Sequence, residues 1–293
     1  MKKNVFHDRL AFWGFVGPVL ITFIMVVIIP FAMGLYYSFT DWSAIPDNPI
    51  NYIGFQNYME VFNDEQFIIS FKATIIYTMI SVLLINIIGF TLALLVTRKL
   101  KTSNLLRTTF FMPNLIGGII LGYVWRFIFM KVFVALASST GIGFFGLPWL
   151  SDATHAIWAM AIVSTWQMGG YIMVIYVAAL QGIPEDLLEA AQIDGANAWH
   201  RIKAIIFPLV AQAFTVSLFL TISSSFKMFD VNAALTKGDP SRLTELLTLE
   251  IYNKAFIESK FGVGQAQAVI LFLLISVVSL TQVYLSKKRE VEM

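Results

Sequence analysis

The sequence predicts an all-α integral membrane protein with six transmembrane helices. Of its 293 residues, 58% are hydrophobic and only 13% are charged. The mean hydropathy is +0.75, so the chain is far more apolar than a soluble domain. A helix needs roughly 20 mostly apolar residues to cross the hydrocarbon layer, and apolar runs of this size recur along the chain.

Apolar runs bounded by charged residues define the six spans. We place them near residues 11–37, 70–97, 107–130, 155–181, 206–229 and 265–286. The first run follows three cations, as in a signal peptide, but a secretory apolar core has only roughly 7–15 residues. This run is longer, so we expect an uncleaved first span.

The distribution of cations predicts the orientation of the spans. One side carries twelve of the 20 Lys and Arg residues, namely Lys2, Lys3, Arg9, Arg98, Lys99, Lys101, Arg107, Arg201, Lys203, Lys287, Lys288 and Arg289. The first loop on the opposite side is acidic, with Asp41, Asp47, Glu60, Asp64 and Glu65. Because cytoplasmic loops are enriched in Lys and Arg, we expect both termini in the cytoplasm.

Composition excludes several classes of function. A net charge of +2 is too small to suggest nucleic-acid binding, and the absence of cysteine excludes disulfides and thiolate ligands. His7, His155 and His200 are too scattered to form a metal site. The chain has no Gly-x-x-x-x-Gly-Lys-[Ser/Thr] phosphate loop, so we expect no nucleotide hydrolysis by that mechanism and no cofactor in this chain.

The loops at residues 41–69 and 230–264 are each long enough to hold a short helix. In the second loop, helical spacing of apolar residues predicts an amphipathic helix at the membrane surface. The residues are Leu243, Leu246, Leu247, Glu250 and Ile251. A solvated loop that closes the helix bundle is the alternative.

The loop between spans four and five predicts a helix, a tight turn and a second helix. Pro184 suits a first helical position, Gly195 can end the helix at positive φ, and Asn197 can cap the next helix. Apolar Leu187 beside acidic Glu189 gives a surface suited to a partner's groove.

This loop resembles the EAA loop of bacterial importer permeases. The matching residues are Glu189-Ala190-Ala191, Gly195 and, after nine residues, Ile205-Ile206-Phe207-Pro208. The usual ending is Ile, any residue, Leu, Pro, so Phe207 is a departure. The resemblance implies a coupling helix within residues 182–208 that is seated in a cleft of an ATPase. The coupling residues would be Glu189, Ala190, Ala191, Asp194, Gly195 and Pro208.

Motifs along nearly the whole chain resemble the maltose-type carbohydrate permeases of ABC transporters. They are Tyr36-Tyr37-Ser38-Phe39-Thr40-Asp41-Trp42, Gly54-Phe55-Gln56-Asn57-Tyr58, Phe110-Phe111-Met112-Pro113, Leu180-Gln181-Gly182-Ile183-Pro184, Ser225-Phe226-Lys227-Met228-Phe229-Asp230 and Phe261-Gly262. The resemblance implies a type I ABC importer permease fold in a single transmembrane domain, residues 1–293, with a core bundle at about 70–286.

The same resemblance implies a set of partners. These are a second, similar permease, an external solute-binding protein, and two copies of a cytoplasmic ATPase that holds ATP and Mg. The protein would then be a permease subunit, in a bacterial cytoplasmic membrane, that translocates a sugar delivered by the binding protein.

A sugar site needs hydrogen-bonding groups and a ring surface that face an internal path near mid-depth. Two helical faces offer them: Ser164, Gln167, Met168 and Tyr171 on span four, and Thr221, Ser224, Ser225 and Met228 on span five. The resemblance implies that these positions contribute the substrate site, although Gln167 and Met168 replace a leucine and a glycine of the maltose permease. The alternatives are packing, since Ser and Thr often bond across membrane helices, or a site carried by the partner permease alone.

Charged and aromatic residues near the span ends have structural interpretations. The i,i+3 spacing of Lys227 and Asp230 predicts an ion pair that holds the end of span five, with gating or substrate contact as the alternative. We expect Arg126 to extend towards the headgroups at the outer end of span three. Interfacial anchoring is the expectation for Trp13, Trp125, Trp149, Trp158 and Trp199.

Two other classes of protein compete with the importer. An ion-coupled secondary transporter needs an ionisable relay, yet the predicted spans contain no acidic residue. An intramembrane enzyme needs a catalytic or metal-binding cluster at mid-depth, and none is evident. Among importer substrates, glycerol phosphate or another anion is possible, but the candidate faces lack Arg and Lys apart from Lys227, which favours a neutral oligosaccharide.

Overall fold

The computed structural model describes residues 5–43, 49–98 and 101–288, with side chains from residue 12 onward. Over these residues the chain forms helices that are connected by loops. The β-pairing in the described residues is limited to one antiparallel bridge between Thr40 and Tyr52. Five of the described helices are long and apolar enough to cross a membrane, or six if one pair bent by 73° counts as a span. The all-α membrane fold is confirmed.

Part of the charge pattern that predicts the orientation lies outside the described residues. Lys2, Lys3, Asp47, Lys99 and Arg289 fall there, and Arg9 is described without its side chain.

The six spans differ in regularity. The second, fourth and sixth are the continuous helices Glu65–Val96, Ala153–Gln181 and Phe261–Lys287. The first consists of Val5–Phe23 and Ile29–Tyr37 around a π-helical turn, Ile24–Ile28, and the third of Gly118–Phe127 and Phe133–Thr140 around another, Ile128–Val132. The fifth consists of Ala198–Arg201, the π-helical Ile202–Ile206, Phe207–Leu209 and Ala211–Phe226.

Shorter helices occupy the connections. They are Gln56–Asn63, Ser103–Phe111, the 3-10 turns Met112–Leu115 and Gly143–Gly146, Glu185–Ile193, the π-helical turns Asn232–Thr236 and Asn253–Ile257, and Leu247–Tyr252.

Carboxylates cap the starts of the second and fourth spans. Asp64 accepts a hydrogen bond from the backbone N–H of Gln66 at 2.9 Å, and Asp152 accepts one from that of His155 at 3.0 Å. Such caps satisfy N–H groups that have no partner within the helix. The N–H of His155, together with its ring, holds the pKa of Asp152 below its ordinary value.

The third span does not begin where the apolar run predicts. The expected helix at 107–130 is wrong, because the chain leaves helical geometry at Ile116, with ψ of 127°, and a new helix begins at Gly118. Pro113 cannot donate to the helix ladder, and Gly117 and Gly118 are weak helix formers. Span three therefore runs from Gly118 to Thr140 and ends at Gly141, whose φ is +69°.

The fifth span is bent rather than straight. The helix pair Ala198–Leu209 and Ala211–Phe226 meets at 73°, and Val210 forms the corner with φ of −97° and ψ of 10°. Pro208 lies two residues before the corner and lacks the N–H that a continuous helix would use. The span predicted at 206–229 thus includes the corner and extends past the helix end at Phe226.

The chain divides into two compact units, of which the first comprises Met1–Asn63 and Ile251–Ile270. Within it, the Asn57 amide donates to the carbonyl oxygens of Ser38 and Thr40 at 2.9 and 2.8 Å. The Trp42 ring stacks on Phe261 at 4.7 Å between centroids, and a Cβ on Gly262 would lie 2.2 Å from the Thr40 carbonyl oxygen. Three of the sequence motifs that resemble carbohydrate permeases therefore meet in this unit.

The second unit comprises Asp64–Glu250 and Leu271–Met293 and contains two apolar clusters. One cluster lies around Tyr77, Met160 and Leu235, and the other around Ile85, Ile172 and Tyr176. At the second cluster the second and fourth spans cross closely, since a Cβ on Gly89 would lie 2.9 Å from Ile172 Cγ2.

Three of the five residues predicted to form an amphipathic surface helix are buried instead. Leu246, Leu247 and Glu250 are each at most 1% exposed, and Leu247 N–H donates to Thr74 Oγ1 of the second span at 2.8 Å. Arg242 offsets the cost of burying two carboxylates. Its guanidinium contacts oxygens of Glu245 and Glu250, each at 2.6 Å. The helix covers only Leu247–Tyr252, so the predicted helical spacing is wrong for Leu243 and Leu246. Apolar spacing also does not tell a buried helix from one at a membrane surface.

Adjacent glycines of the fourth span give a matched test of this packing. A Cβ on Gly170 would lie 1.8 Å from the Phe110 carbonyl oxygen, whereas a Cβ on Gly169 would make only an ordinary contact, 3.6 Å from Ile88 Cγ2. We expect Gly170→Ala to destabilise the protein by about 1–3 kcal/mol, because backbone must move. Gly169→Ala should melt at or above the wild-type temperature in thermal unfolding of the purified protein; equal melting of both variants would contradict this packing.

Candidate functional site

A small polar pocket lies where the third, fourth and fifth spans meet. Its volume is about 230 Å³, and it is lined by Gly118, Gln167, Ser224, Lys227, Met228, Phe229, Asp230 and Val231. Three of the eight predicted site positions, Gln167, Ser224 and Met228, thus share one cavity.

The break before the third span builds one wall of this pocket. Because Ile116 is not helical, its carbonyl oxygen is available, and Gln167 Nε2 donates to it at 3.0 Å. Gly118 allows the close approach of Asp230, since a Cβ there would lie 2.6 Å from Asp230 Cβ and 2.9 Å from its Oδ2. A glycine at 118 is therefore a requirement for the position of the Asp230 carboxylate.

The end of the fifth span builds the opposite wall. Ser224 Oγ donates to the Met168 sulfur at 3.3 Å and to the Thr221 carbonyl at 3.1 Å, which places Met168 directly beside the pocket. The helix ends at Phe226, and Lys227 is its C-terminal cap residue.

The predicted ion pair between Lys227 and Asp230 is wrong. In the described part of the chain no ion pair joins them, because the helix that would place them one turn apart ends before either residue. Both side chains are exposed and both line the pocket. The sequence predicted a helix-end role for both residues, and its helical periodicity held no signal that would have placed them in the pocket.

The remaining four predicted positions, Ser164, Tyr171, Thr221 and Ser225, do not line the pocket. Ser164 Oγ and the Tyr77 hydroxyl are 2.7 Å apart, and both residues are buried. Ser225 is buried as well, and Tyr171 packs against the apolar cluster around Tyr176. The face predicted from spacing is therefore divided between a cavity and the helix interfaces.

Thr221 belongs to a buried polar network that links three spans. Asn86 on the second span donates to Thr221 Oγ1 at 3.0 Å and accepts from the Tyr176 hydroxyl of the fourth span at 2.7 Å. Thr221 Oγ1 in turn donates to the Ser217 carbonyl at 2.8 Å. Buried polar groups that satisfy one another in this way fix the register of the helices.

The pocket has the chemistry to bind a polyhydroxylated molecule. Gln167 and Ser224 offer both donors and acceptors, Asp230 offers a carboxylate, and Lys227 offers an ammonium group. No group of three His, Cys, Asp or Glu residues within the described ranges is placed to hold a metal ion.

The predicted coupling residues lie on an exposed helix–turn–helix. The first helix is Glu185–Ile193, Gly195 has φ of +78°, and Asn197 caps the second helix by accepting from the His200 N–H at 2.8 Å. Glu189, Ala190, Asp194 and Gly195 are exposed, whereas Ala191 and Pro208 are half-buried. The predicted local structure is confirmed at Gly195 and Asn197, whereas Pro184 is the N-cap residue before the first helix and does not occupy the first helical position.

This coupling loop presents a cluster of exposed apolar side chains. Ile193 is 86% exposed, Trp199 71% and Leu187 47%. Exposed apolar residues on a segment outside the spans are typical of a protein interface.

Two sequence expectations outside the pocket need correction. Trp149 is buried and donates from its indole to the Phe144 carbonyl at 3.0 Å, so it is a core residue rather than an interfacial anchor. Arg126 lies inside the helix of span three and is half-buried; one guanidinium nitrogen is enclosed without a hydrogen-bond partner among the described residues. It lines a second cavity, of about 310 Å³, together with Asp239.

Residues 85–291 match the family of binding-protein-dependent transport system inner membrane components. The chain belongs to this family. The permease resemblance, the membrane location and a role in transport are thereby confirmed, and the ion-coupled alternative gains no support.

Relatives of this permease match it along its whole length. A "probable starch degradation products transport system permease protein AmyD" of Thermoanaerobacterium thermosulfurigenes is 49% identical over 100% of this chain and 99% of that protein. The "multiple sugar-binding transport system permease protein MsmF" of Streptococcus mutans is 30% identical, with 96% and 97% covered. An "sn-glycerol-3-phosphate transport system permease protein UgpA" of Agrobacterium fabrum is 30% identical, with 99% of each chain covered.

The fold of this permease also matches solved transporters. A chain from the crystal structure of a bacterial ABC transporter involved in the import of the acidic polysaccharide alginate superposes with a TM-score of 0.82, at 22% identity and 98% coverage of each chain. At this identity the likeness supports the type I importer permease fold and not the substrate.

The two serine and threonine environments predict different effects of substitution. Thr221→Val removes the acceptor of Asn86, so we expect a loss of about 1 kcal/mol in unfolding free energy. Ser224→Ala removes only weak bonds beside a cavity and should cost less than about 0.5 kcal/mol. Thermal unfolding of the purified permease measures the stability of both variants. A Thr221→Val variant as stable as wild type would contradict a stabilising role of the Asn86 network.

Proposed function

We propose that this permease translocates a neutral oligosaccharide, delivered by an external solute-binding protein and driven by ATP hydrolysis on a partner. The observation that carries the proposal is the pocket with Gln167, Ser224, Lys227 and Asp230 at the junction of three spans. The names of the relatives AmyD and MsmF support a carbohydrate substrate.

A phosphorylated substrate is the second candidate, because a relative carries the name of a glycerol-3-phosphate permease and Lys227 lines the pocket. Asp230 argues against it. Its carboxylate lies in the same pocket and would repel an anion, whereas it can accept two hydrogen bonds from neighbouring sugar hydroxyls.

The proposed assembly contains this chain as a single permease domain over residues 1–293, a second similar permease and two copies of a cytoplasmic ATPase. ATP and Mg bind to that ATPase, and this chain holds no cofactor or nucleotide. Within residues 182–208 the exposed Leu187, Ile193 and Trp199 support a docked partner at the coupling loop. Glu189, Ala190, Ala191, Asp194, Gly195 and Pro208 would transmit the ATPase motion as a rigid-body shift.

We further propose that both termini and the coupling loop lie in the cytoplasm. Support comes from the clustering of basic residues at one end of the second unit. Arg98 and Arg201 line the same cavity there, and Arg107 donates to the Val96 carbonyl at the end of the second span. The positive-inside rule assigns such an end to the cytoplasm.

Asp230→Asn tests the substrate class. If hydroxyl groups bind the carboxylate, this change should lower uptake of maltooligosaccharides by about tenfold at subsaturating sugar, since a charged hydrogen bond contributes about 1.5–3 kcal/mol. The measurement is uptake into vesicles that contain the complete transporter and the loaded binding protein. Asp239→Asn, an exposed carboxyl outside the pocket, is the matched control. Faster uptake of glycerol 3-phosphate by Asp230→Asn would instead favour the anionic substrate.

Glu189→Ala tests the coupling role. Because Glu189 is exposed and lies on the helix proposed to enter the ATPase, its loss should abolish most of the ATPase stimulation by loaded binding protein. Assembly, measured by co-purification, should persist. Glu65→Ala removes an exposed carboxylate at the far end of the second span and should retain stimulation. Unchanged stimulation in Glu189→Ala would remove this residue from the coupling path.

A further inference from the structure

A polar cavity that has no role in the proposed sugar path lies at the basic ends of the second and fourth spans. Its volume is about 620 Å³, and it is enclosed by the ends of the second and fourth spans on one side and the coupling loop on the other. Arg98, two residues beyond the second span, and Arg201, in the second helix of the loop, both line it.

The charges in this cavity favour an anion. Two guanidinium groups face one carboxylate, that of Glu185, so the lining has an excess of one positive charge. Neither arginine takes part in an ion pair in the described part of the chain, and Arg201 makes only a long hydrogen bond, 3.4 Å, to the Gln192 side-chain oxygen. Guanidinium groups match the planar, paired oxygens of a phosphate.

The remaining walls of the cavity are apolar. Leu94 and Leu180 come from the last turns of the second and fourth spans, and Ile202 and Ile206 come from the chain that enters the fifth. An apolar wall that continues from membrane-crossing helices, capped by two arginines at the helix ends, has the same polarity profile as a phospholipid at the interface.

We propose that this cavity binds the phosphate of an anionic phospholipid from the same leaflet, with the upper acyl chain against the leucine and isoleucine wall. A basic pocket between spans on the cytoplasmic side is a general setting for such headgroups. A soluble phosphate could bind the two arginines but has no apolar part to contact the leucine and isoleucine wall. A phospholipid fits both the basic and the apolar part of the cavity.

The bound lipid would join two parts of the permease that the proposed mechanism moves. Arg98 follows the second span and Arg201 lies in the coupling loop, so one phosphate contacting both would hold the loop against the bundle. Lipid composition would then change how strongly the ATPase motion reaches the spans.

The test is retention of phosphatidylglycerol by the complete transporter in detergent, measured by native mass spectrometry across a lipid titration, with phosphatidylcholine as the zwitterionic comparison. We expect preferential retention of phosphatidylglycerol, weakened about fivefold by Arg98→Gln and by Arg201→Gln, and restored in part by Arg98→Lys. Lys203→Gln removes a nearby exposed cation that does not line the cavity and should behave as wild type.

Three results would overturn the proposal. Equal weakening by Lys203→Gln would indicate general attraction to a basic surface. Equal retention of both lipids would exclude recognition of the anionic headgroup. Displacement of phosphatidylglycerol by inorganic phosphate at the same molar concentration would identify a soluble anion as the ligand. Because retention is measured without sugar or ATP, each of these results is independent of the proposed transport function.

Discussion

The close crossing of the second and fourth spans is the constraint on which the fifth span and the polar pocket depend. Helices in lipid gain little from hydrophobic burial against one another, so small residues that let backbones approach determine which helices pair. Gly89 lies against Ile172 and the Gly169 carbonyl, and Gly170 lies against the backbone of Phe110. In this pair the Tyr176 hydroxyl donates to Asn86, and Asn86 donates to Thr221, which sets the register of the fifth span and with it the position of the polar pocket.

The sequence contained enough information for the fold, but not for its interruptions. Apolar runs located the second, fourth and sixth spans to within a few residues, because helix length and bilayer thickness are directly related. The start of span three at Gly118 and the corner at Val210 were missed, since hydropathy records only whether residues are apolar. In both places a proline lies shortly before the break, and its missing N–H was the available signal.

The sequence predicted which positions could contribute to the site, but not which of them line a common cavity. Helical spacing placed Gln167 and Ser224 on single faces, and the structure joins them, but the same spacing also selected Thr221 and Ser164, which bond to neighbouring helices. The angle and distance at which the helices cross decide which polar residues pack against a neighbouring helix and which line a cavity. Lys227 and Asp230 reach the pocket only because the helix ends at Phe226, a tertiary effect absent from any periodicity.

The contacts of the first unit have a consequence for the order in which the chain folds. Thr40 packs against Gly262, and Glu60 pairs with Lys260, 200 residues later in the sequence, at 2.7 Å. A chain that emerges from the ribosome in order therefore holds the loop between its first two spans without these partners until the start of the sixth span has been synthesised. Truncation before residue 260 would remove both Lys260 and Gly262, so this loop cannot complete its packing until the chain has been made as far as the sixth span.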